Sequence, residues 1–323
     1  MKYYIAIVLL TIVASASWGS NQESNPNKGF AGTHMHSGYG SRNAFKPANF
    51  RTTWHMDIKL SLLKEVGILS KGFKANQFDF IRDIFATFEE FPEEVKRIYM
   101  YGNGKSKNTT MLVFGDVSYA WLENYVSRKL KKNQKSSEKY FKKILRSGVG
   151  DVTKLTISEG NKERSIYFSN VTSGINVISS NIIELRRWID YPVSVHYWNW
   201  SNTTSLLTLK MEIVPTLKNL QKKNDGTIYM LQSKIFKESS AINLVIDDDN
   251  ESVFIGASIS TKNKELAEEL EQFIKDLFVN NSPENSQDIK GAFLKNLKIK
   301  NKGRLIKIAS NVPKAFLNNN VSQ

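Results

Sequence analysis

Apolar side chains recur along this chain with two periods: alternation, which marks half-buried strands, and spacings of three and four, which mark helices. Residues 52–60 have strand composition, and residues 62–91 supply one or two helices, with Phe78, Ile81, Ile84, Phe85 and Phe88 spaced as one helical face. Residues 95–101 and 110–114 read as two strands joined by the turn-forming Gly102-Asn103-Gly104. Trp121, Leu122, Tyr125, Val126 and Leu130 then draw the stripe of an amphipathic helix. Strands at 154–158 and 165–169 flank Glu159-Gly160-Asn161, and a strand at 175–178 leads into a short helix at 182–189.

The second half takes the same order. Residues 193–200 form its opening strand, 206–220 its helical part, and 241–246 with 252–258 a hairpin around Asp247-Asp248-Asp249-Asn250. Leu266, Leu270, Phe273, Ile274 and Leu277 mark the buried face of a helix whose acids come early and whose Lys275 comes late, as the helix dipole prefers. A closing hairpin, 297–299 and 305–308, turns at Asn301-Lys302-Gly303. Short identities support a duplication. Ser169-Asn170-Val171 and Ser310-Asn311-Val312 lie 141 residues apart, as do His55 and His196, while Ser61-Leu62-Leu63 and Ser205-Leu206-Leu207 lie 144 apart.

Each half therefore reads β-α-β-β-α-β-β, which contains the split βαβ order. The expected fold is α+β: two tandem ferredoxin-like (split βαβ) modules at 51–191 and 192–318, each an antiparallel sheet with helices on one face. In that element order the chain resembles a broad group of uncharacterised exported bacterial proteins built from two divergent modules of this kind. The resemblance spans nearly all the chain after residue 16 and implies no activity.

The N-terminus sets the compartment. Lys2 is a short basic start, residues 3–13 are almost unbroken apolar, and Ala14-Ser15-Ala16 offers the small residues a signal peptidase accepts. The apolar run is too short to span a bilayer comfortably, so cleavage near Ala16 and release into a periplasm or medium are expected. Residues 17–50, rich in Gly, Ser, Asn and Pro, read as a flexible leader, and 319–323 as a tail. With no cysteine in 323 residues, the fold must be held by packing alone.

Charge adds a partner class. The net charge of +14 is carried in part by two dense stretches. One runs from Arg128 through Lys129, Lys131, Lys132, Lys135, Lys139, Lys142 and Lys143 to Arg146; the other covers Lys295, Lys298, Lys300, Lys302, Arg304 and Lys307. Such stretches serve as a solvated helix end and solvent-facing strand edges, and they attract anions. Candidate surface residues are therefore Lys131, Lys132, Lys135, Lys298, Lys300 and Lys302. To these the aromatic run at 196–200 adds His196, Trp198 and Trp200, which alternation places on one face.

The remaining chemistry is thin. Gly102-Asn103-Gly104-Lys105-Ser106 ends like a phosphate loop, but Tyr99 stands where the first Gly is needed and the segment joins two strands. Asp247, Asp248, Asp249 and Glu251 lack the alternating ligand spacing of a calcium loop and suit a hairpin tip. His34-x-His36 lacks two further ligands. Glu89-Glu90 and Glu93-Glu94 read as solvated, and no Gly-x-Ser-x-Gly or His-Glu-x-x-His occurs. No catalytic residue, metal or cofactor is expected. The expectation is a non-catalytic binding or scaffolding protein with a protein partner or an anionic envelope component, no nucleotide, and nucleic acid disfavoured by export. The anion-binding alternative takes envelope lipid or polysaccharide, and a hydrolase with a non-standard site is the third reading.

Overall fold

The computed structural model describes residues 50–66, 91–105, 107–131, 139–146, 150–159, 162–190, 205–220, 238–279 and 289–315. Among the described residues twelve strands form one sheet. In the first half these are β1 (Trp54–Ile58), β2 (Val95–Gly102), β3 (Thr109–Gly115), β4 (Lys139–Leu145), β5 (Val152–Glu159), β6 (Lys162–Thr172) and β7 (Ile175–Ser179). The second half supplies β8 (Ser205–Glu212), β9 (Ser239–Asp249), β10 (Ser252–Thr261), β11 (Lys298–Lys302) and β12 (Leu305–Pro313). The helices among the described residues are α1 (Leu60–Glu65), α2 (Tyr119–Lys131), α3 (Ile182–Asp190), α4 (Ile213–Leu220), α5 (Lys264–Val279) and α6 (Ile289–Lys295).

The strand order is β11-β12-β10-β9-β8-β1-β2-β3-β7-β6-β5-β4, with antiparallel registers throughout. The fold is thus α+β around a large antiparallel sheet. Its seam is the pairing of β1 with β8, Trp54 opposite Met211 and Ile58 opposite Leu207, so the two halves share one sheet. From this seam β1-β2-β3 and β8-β9-β10 are laid outward in opposite directions.

The order within each half corrects the split βαβ expectation. A split unit places its third strand between the first two, whereas β1 pairs directly with β2 and β8 directly with β9. The physical reason lies in the connections. Ile58 stands opposite Ile98, and Glu212 opposite Ala241, so each connection leaves and returns at the same end of the sheet. The chain reverses instead of crossing over.

Three local readings also change. Residues 206–212 are strand, not helix: Leu207, Leu209 and Met211 alternate with Thr208, Lys210 and Glu212, and the helix starts only at Ile213. Ser205-Leu206-Leu207 therefore opens β8 while Ser61-Leu62-Leu63 lies in α1. The basic run after Lys131 contains β4, an edge strand, in addition to the end of α2. Finally, β12 borders β10, the place that β7 and not β6 takes beside β3. The matching Ser-Asn-Val elements of β6 and β12 thus occupy different places in the sheet.

Alternation divides the core between the two faces. On one, Trp54, Met56, Ile58, Met100, Met111, Val113, Phe168, Leu209, Ile242 and Ile306 pack with Leu60 and Leu63 of α1, Leu122 and Tyr125 of α2, and Leu270 and Ile274 of α5. On the other, Tyr101, Leu112, Phe114, Ile175 and Val177 pack under Leu185, Trp188 and Ile189 of α3. Asn103, Gly104 and Lys105 follow β2 on the way to β3: Gly104 has φ 85° and the Asn103 side-chain oxygen accepts from the Lys105 backbone N–H at 3.0 Å. The acidic hairpin turns at Asn250-Glu251, with Asn250 at φ 36°.

Candidate functional site

The edge strand β11 has the sequence Lys-Ile-Lys-Asn-Lys with alternating exposure. Ile299 packs against the main core, so Lys298, Lys300 and Lys302 project from the opposite face. Register places Lys307 of β12 directly across from Lys300. All four are exposed, with successive β11 lysines about 7 Å apart along the strand and Lys307 about 5 Å across. Among the described residues none of the four has a carboxylate partner. Lys298 also lines an acidic cleft of 420 Å³ to which Asp247, Asp248 and Asp249 contribute beside Phe254 and Asn311.

Lys131 is the last residue of α2 and its Nζ lies 4.1 Å from the centre of the Tyr140 ring on β4. It does not join the β11 row, since β4 and β11 are the two ends of the sheet. Lys132, Lys135, His196, Trp198 and Trp200 lie outside the described residues. Lys307 belongs to the row although only its place in a basic stretch marks it in the sequence; the pairing that seats it beside Lys300 depends on the turn at Gly303, φ 67°.

Two polar clusters lie on the same face of the sheet as the lysines, on β1, β2 and α3 and several strands from β11. Near the seam, the Arg97 guanidinium donates to both carboxylate oxygens of Asp57, at 2.6 and 2.5 Å. Burial lowers the Lys59 pKa there, opposed by the charges of Asp57 and Asp247. Under α3, the Tyr101 hydroxyl donates to the Glu184 carboxylate and accepts from Trp188 Nε1–H at 2.7 Å and Arg187 Nη2–H at 3.1 Å. Arg187 donates to the same Glu184 oxygen through Nε at 2.9 Å and Nη2 at 2.5 Å.

Burial first, and the neighbouring Glu184 next, push the Tyr101 phenol well above its ordinary value; burial likewise raises Tyr99. The sign of the pH dependence follows. The folded chain holds these protons more tightly than the unfolded chain, so their contribution is complete below the ordinary value of 10.0 and is lost as pH rises toward the folded values. Stability is expected to fall above about pH 10, and Tyr101→Phe to flatten that fall. Urea titrations across this range check it; an equal slope in the variant would show that Tyr101 reaches water.

No protein family model matches this chain, and no curated protein matches it. Among solved structures it is similar to crystal forms III, IV and I of TP0453, at 10% identity and TM-scores of 0.44, 0.41 and 0.38. The alignments cover 84% of this chain and 94%, 94% and 93% of theirs.

Chemically, the acidic hairpin and the lysine row offer different things. Asp247 and Asp248 are neighbours on β9 and point to opposite faces. Lys314 Nζ lies 2.5 Å from Asp248. Among the described residues no three His, Asp or Glu side chains converge as a metal site would require. The lysine row instead presents like charges at a strand-set spacing, with Lys300 and Lys307 directly opposed. Such a pair costs stability in the free protein, and an anion set between them relieves that cost.

Proposed function

We propose that this chain is an exported, non-catalytic binding or scaffolding protein that holds an anionic component of the cell envelope along β11. The observation that carries this reading is the row Lys298, Lys300 and Lys302 with Lys307 beside Lys300, all exposed. A ligand that repeats its phosphate or carboxylate groups would meet successive cations on a rigid strand, and attraction of this kind weakens with salt. Export is supported by Lys2, the apolar run of residues 3–13 and Ala14-Ser15-Ala16. The finer arrangement proposed for the chain is a divergent duplication whose halves, 51–191 and 192–318, meet at the β1–β8 seam.

The test uses the protein from Ser17 onward, with vesicles of anionic phospholipid in one arm and a soluble acidic polysaccharide in the other. K298E/K300E/K302E is expected to weaken binding at least tenfold in one arm, roughly what loss of a few exposed charge contacts supplies. Wild-type binding is expected to fade toward about 1 M salt, where the Debye length is about 3 Å. Binding confined to vesicles assigns the anion to lipid headgroups, and binding confined to the polymer assigns it to glycan. Lack of binding in both arms, or binding indifferent to the three substitutions, refutes the reading.

A further inference from the structure

The opposite edge of the sheet poses a different question. Among the described residues β4 has β5 as its one hydrogen-bonded neighbour, so alternate N–H and C=O groups lie along an open edge. Proteins protect such edges with charge, brevity or proline. β4 carries charge, and yet Phe141 is 51% exposed and Ile144 49%. Alternation puts them on opposite faces of the strand. An edge that had only to avoid pairing would not keep large apolar groups in water on both sides.

The lysines of β4 divide by face. Lys142 shares a face with Ile144 and is already satisfied, its Nζ donating to both carboxylate oxygens of Glu123 on α2 at 2.6 and 2.8 Å. On the other face Lys139 and Lys143 flank Phe141, and neither has a carboxylate partner among the described residues. Lys143 stands directly opposite Lys154 of β5, whose Nζ is 3.8 Å from the Glu163 carboxylate. Phe141 stands opposite Thr156, which is hydrogen-bonded to Ser165 at 2.9 Å. Along the open edge this face therefore reads cation, ring, cation at steps of about 7 Å.

We propose that β4 is a docking edge that takes an extended acidic segment of a partner protein as an added strand. The segment places an acid, an apolar residue and an acid against Lys139, Phe141 and Lys143. Main-chain hydrogen bonds supply the pairing and the side chains supply the selection, as in strand addition generally. A second copy of β4 does not suit this edge: each copy brings three lysines and no acid, and like charges across a strand pair repel. The site shares no residue with the β11 row and does not depend on what that row binds.

The experiment is a charge swap on the full chain from Ser17 onward, using a capped peptide containing Glu-Thr-Val-Thr-Glu and its counterpart Lys-Thr-Val-Thr-Lys. The acidic peptide is expected to bind the wild type, to weaken at least tenfold against K139E/K143E, and to weaken against Phe141→Thr. The basic peptide is expected to bind K139E/K143E and not the wild type. In the K298E/K300E/K302E background, where the peptide's acids have no pairing with the β11 row, K139E/K143E is expected to weaken the acidic peptide by the same factor as in the wild type. Amide exchange on the unmutated protein reads the same site without a variant: the acidic peptide is expected to slow exchange along β4. No binding by the wild type at millimolar peptide, affinity unchanged in K139E/K143E, or unchanged exchange along β4 overturns the proposal.

Discussion

Replacing Glu184 with alanine is expected to lower the unfolding free energy by about 3–5 kcal/mol, the cost of removing one partner of a buried ion pair. That is a large part of the roughly 5–15 kcal/mol that holds a domain folded. Glu184 has 0% exposure and Arg187 12%, so deletion of the carboxylate strands a guanidinium that water reaches poorly. It also leaves the Tyr101 hydroxyl, fixed by Trp188 Nε1–H at 2.7 Å, without its acceptor. The consequence extends beyond one helix turn, because Leu185, Trp188 and Ile189 form the α3 side of the second core. Glu184→Gln keeps an acceptor oxygen and is expected to cost less. The double change of Glu184 and Arg187 to leucine and methionine is expected to cost less than Glu184→Ala alone, because it removes both charges together. Denaturant midpoints at constant slope separate these cases. A loss below about 1 kcal/mol for Glu184→Ala would mean that α3 lifts in solution and lets water pay the desolvation.

Much of the strand content was legible because its cause is local. Alternation at Tyr99, Met100 and Tyr101, turn residues at Gly102-Asn103-Gly104, and the paired hairpins around Asn250 and Gly303 are visible without knowing what packs on them. The stripes of α2 and α5 are equally local. β4 was hidden by its own composition: Lys-Tyr-Phe-Lys-Lys-Ile-Leu has apolar residues on both faces and no clean period of two, because the strand lies at an edge with neither face fully buried. β8 is obscured for the opposite reason. Leu206 and Leu207 are both buried because the register with β9 shifts between Ser205 and Leu207 and breaks the alternation there, and two adjacent leucines imitate a helical stripe.

Strand order was not legible at all. Nothing in residues 54–58 states that their neighbours are β2 and β8, since antiparallel and crossover arrangements bury the same side chains. The lysine row was half visible. Lys298, Lys300 and Lys302 share a face by alternation alone, but whether that face is buried depends on Ile299 entering the core. The Tyr101–Glu184–Arg187–Trp188 cluster left a fainter trace: an acid and a base one helical turn apart, beside a tryptophan, on a short amphipathic helix. On an exposed helix the same spacing would be an ordinary surface pair.

The second large effect is expected at Gly115, at the C-terminal end of β3. Its φ of 142° lies outside the range that side-chain-bearing residues adopt readily, and a Cβ there would stand 1.9 Å from the Glu94 carbonyl oxygen and 2.9 Å from Val95 Cα. The crowding arises from the register. β2 bulges between Val95 and Arg97, directly opposite Gly115, and the bulge drives backbone toward the partner strand. On its other side Gly115 N–H donates to Gly174 C=O at 2.9 Å, so the backbone has no free direction in which to retreat. Gly115→Ala is expected to cost about 2–5 kcal/mol, combining strained backbone with overpacking against main chain. Gly174→Ala supplies the contrast: its φ is 79° and nothing lies within 4 Å of the added carbon, so only the left-handed penalty of about 1–2 kcal/mol applies. The difference between the two variants in urea unfolding measures the contact together with the extra backbone strain of φ 142° over φ 79°. Equal costs would mean that the bulge relaxes freely and that the close approach at Gly115 is not what fixes the end of β3.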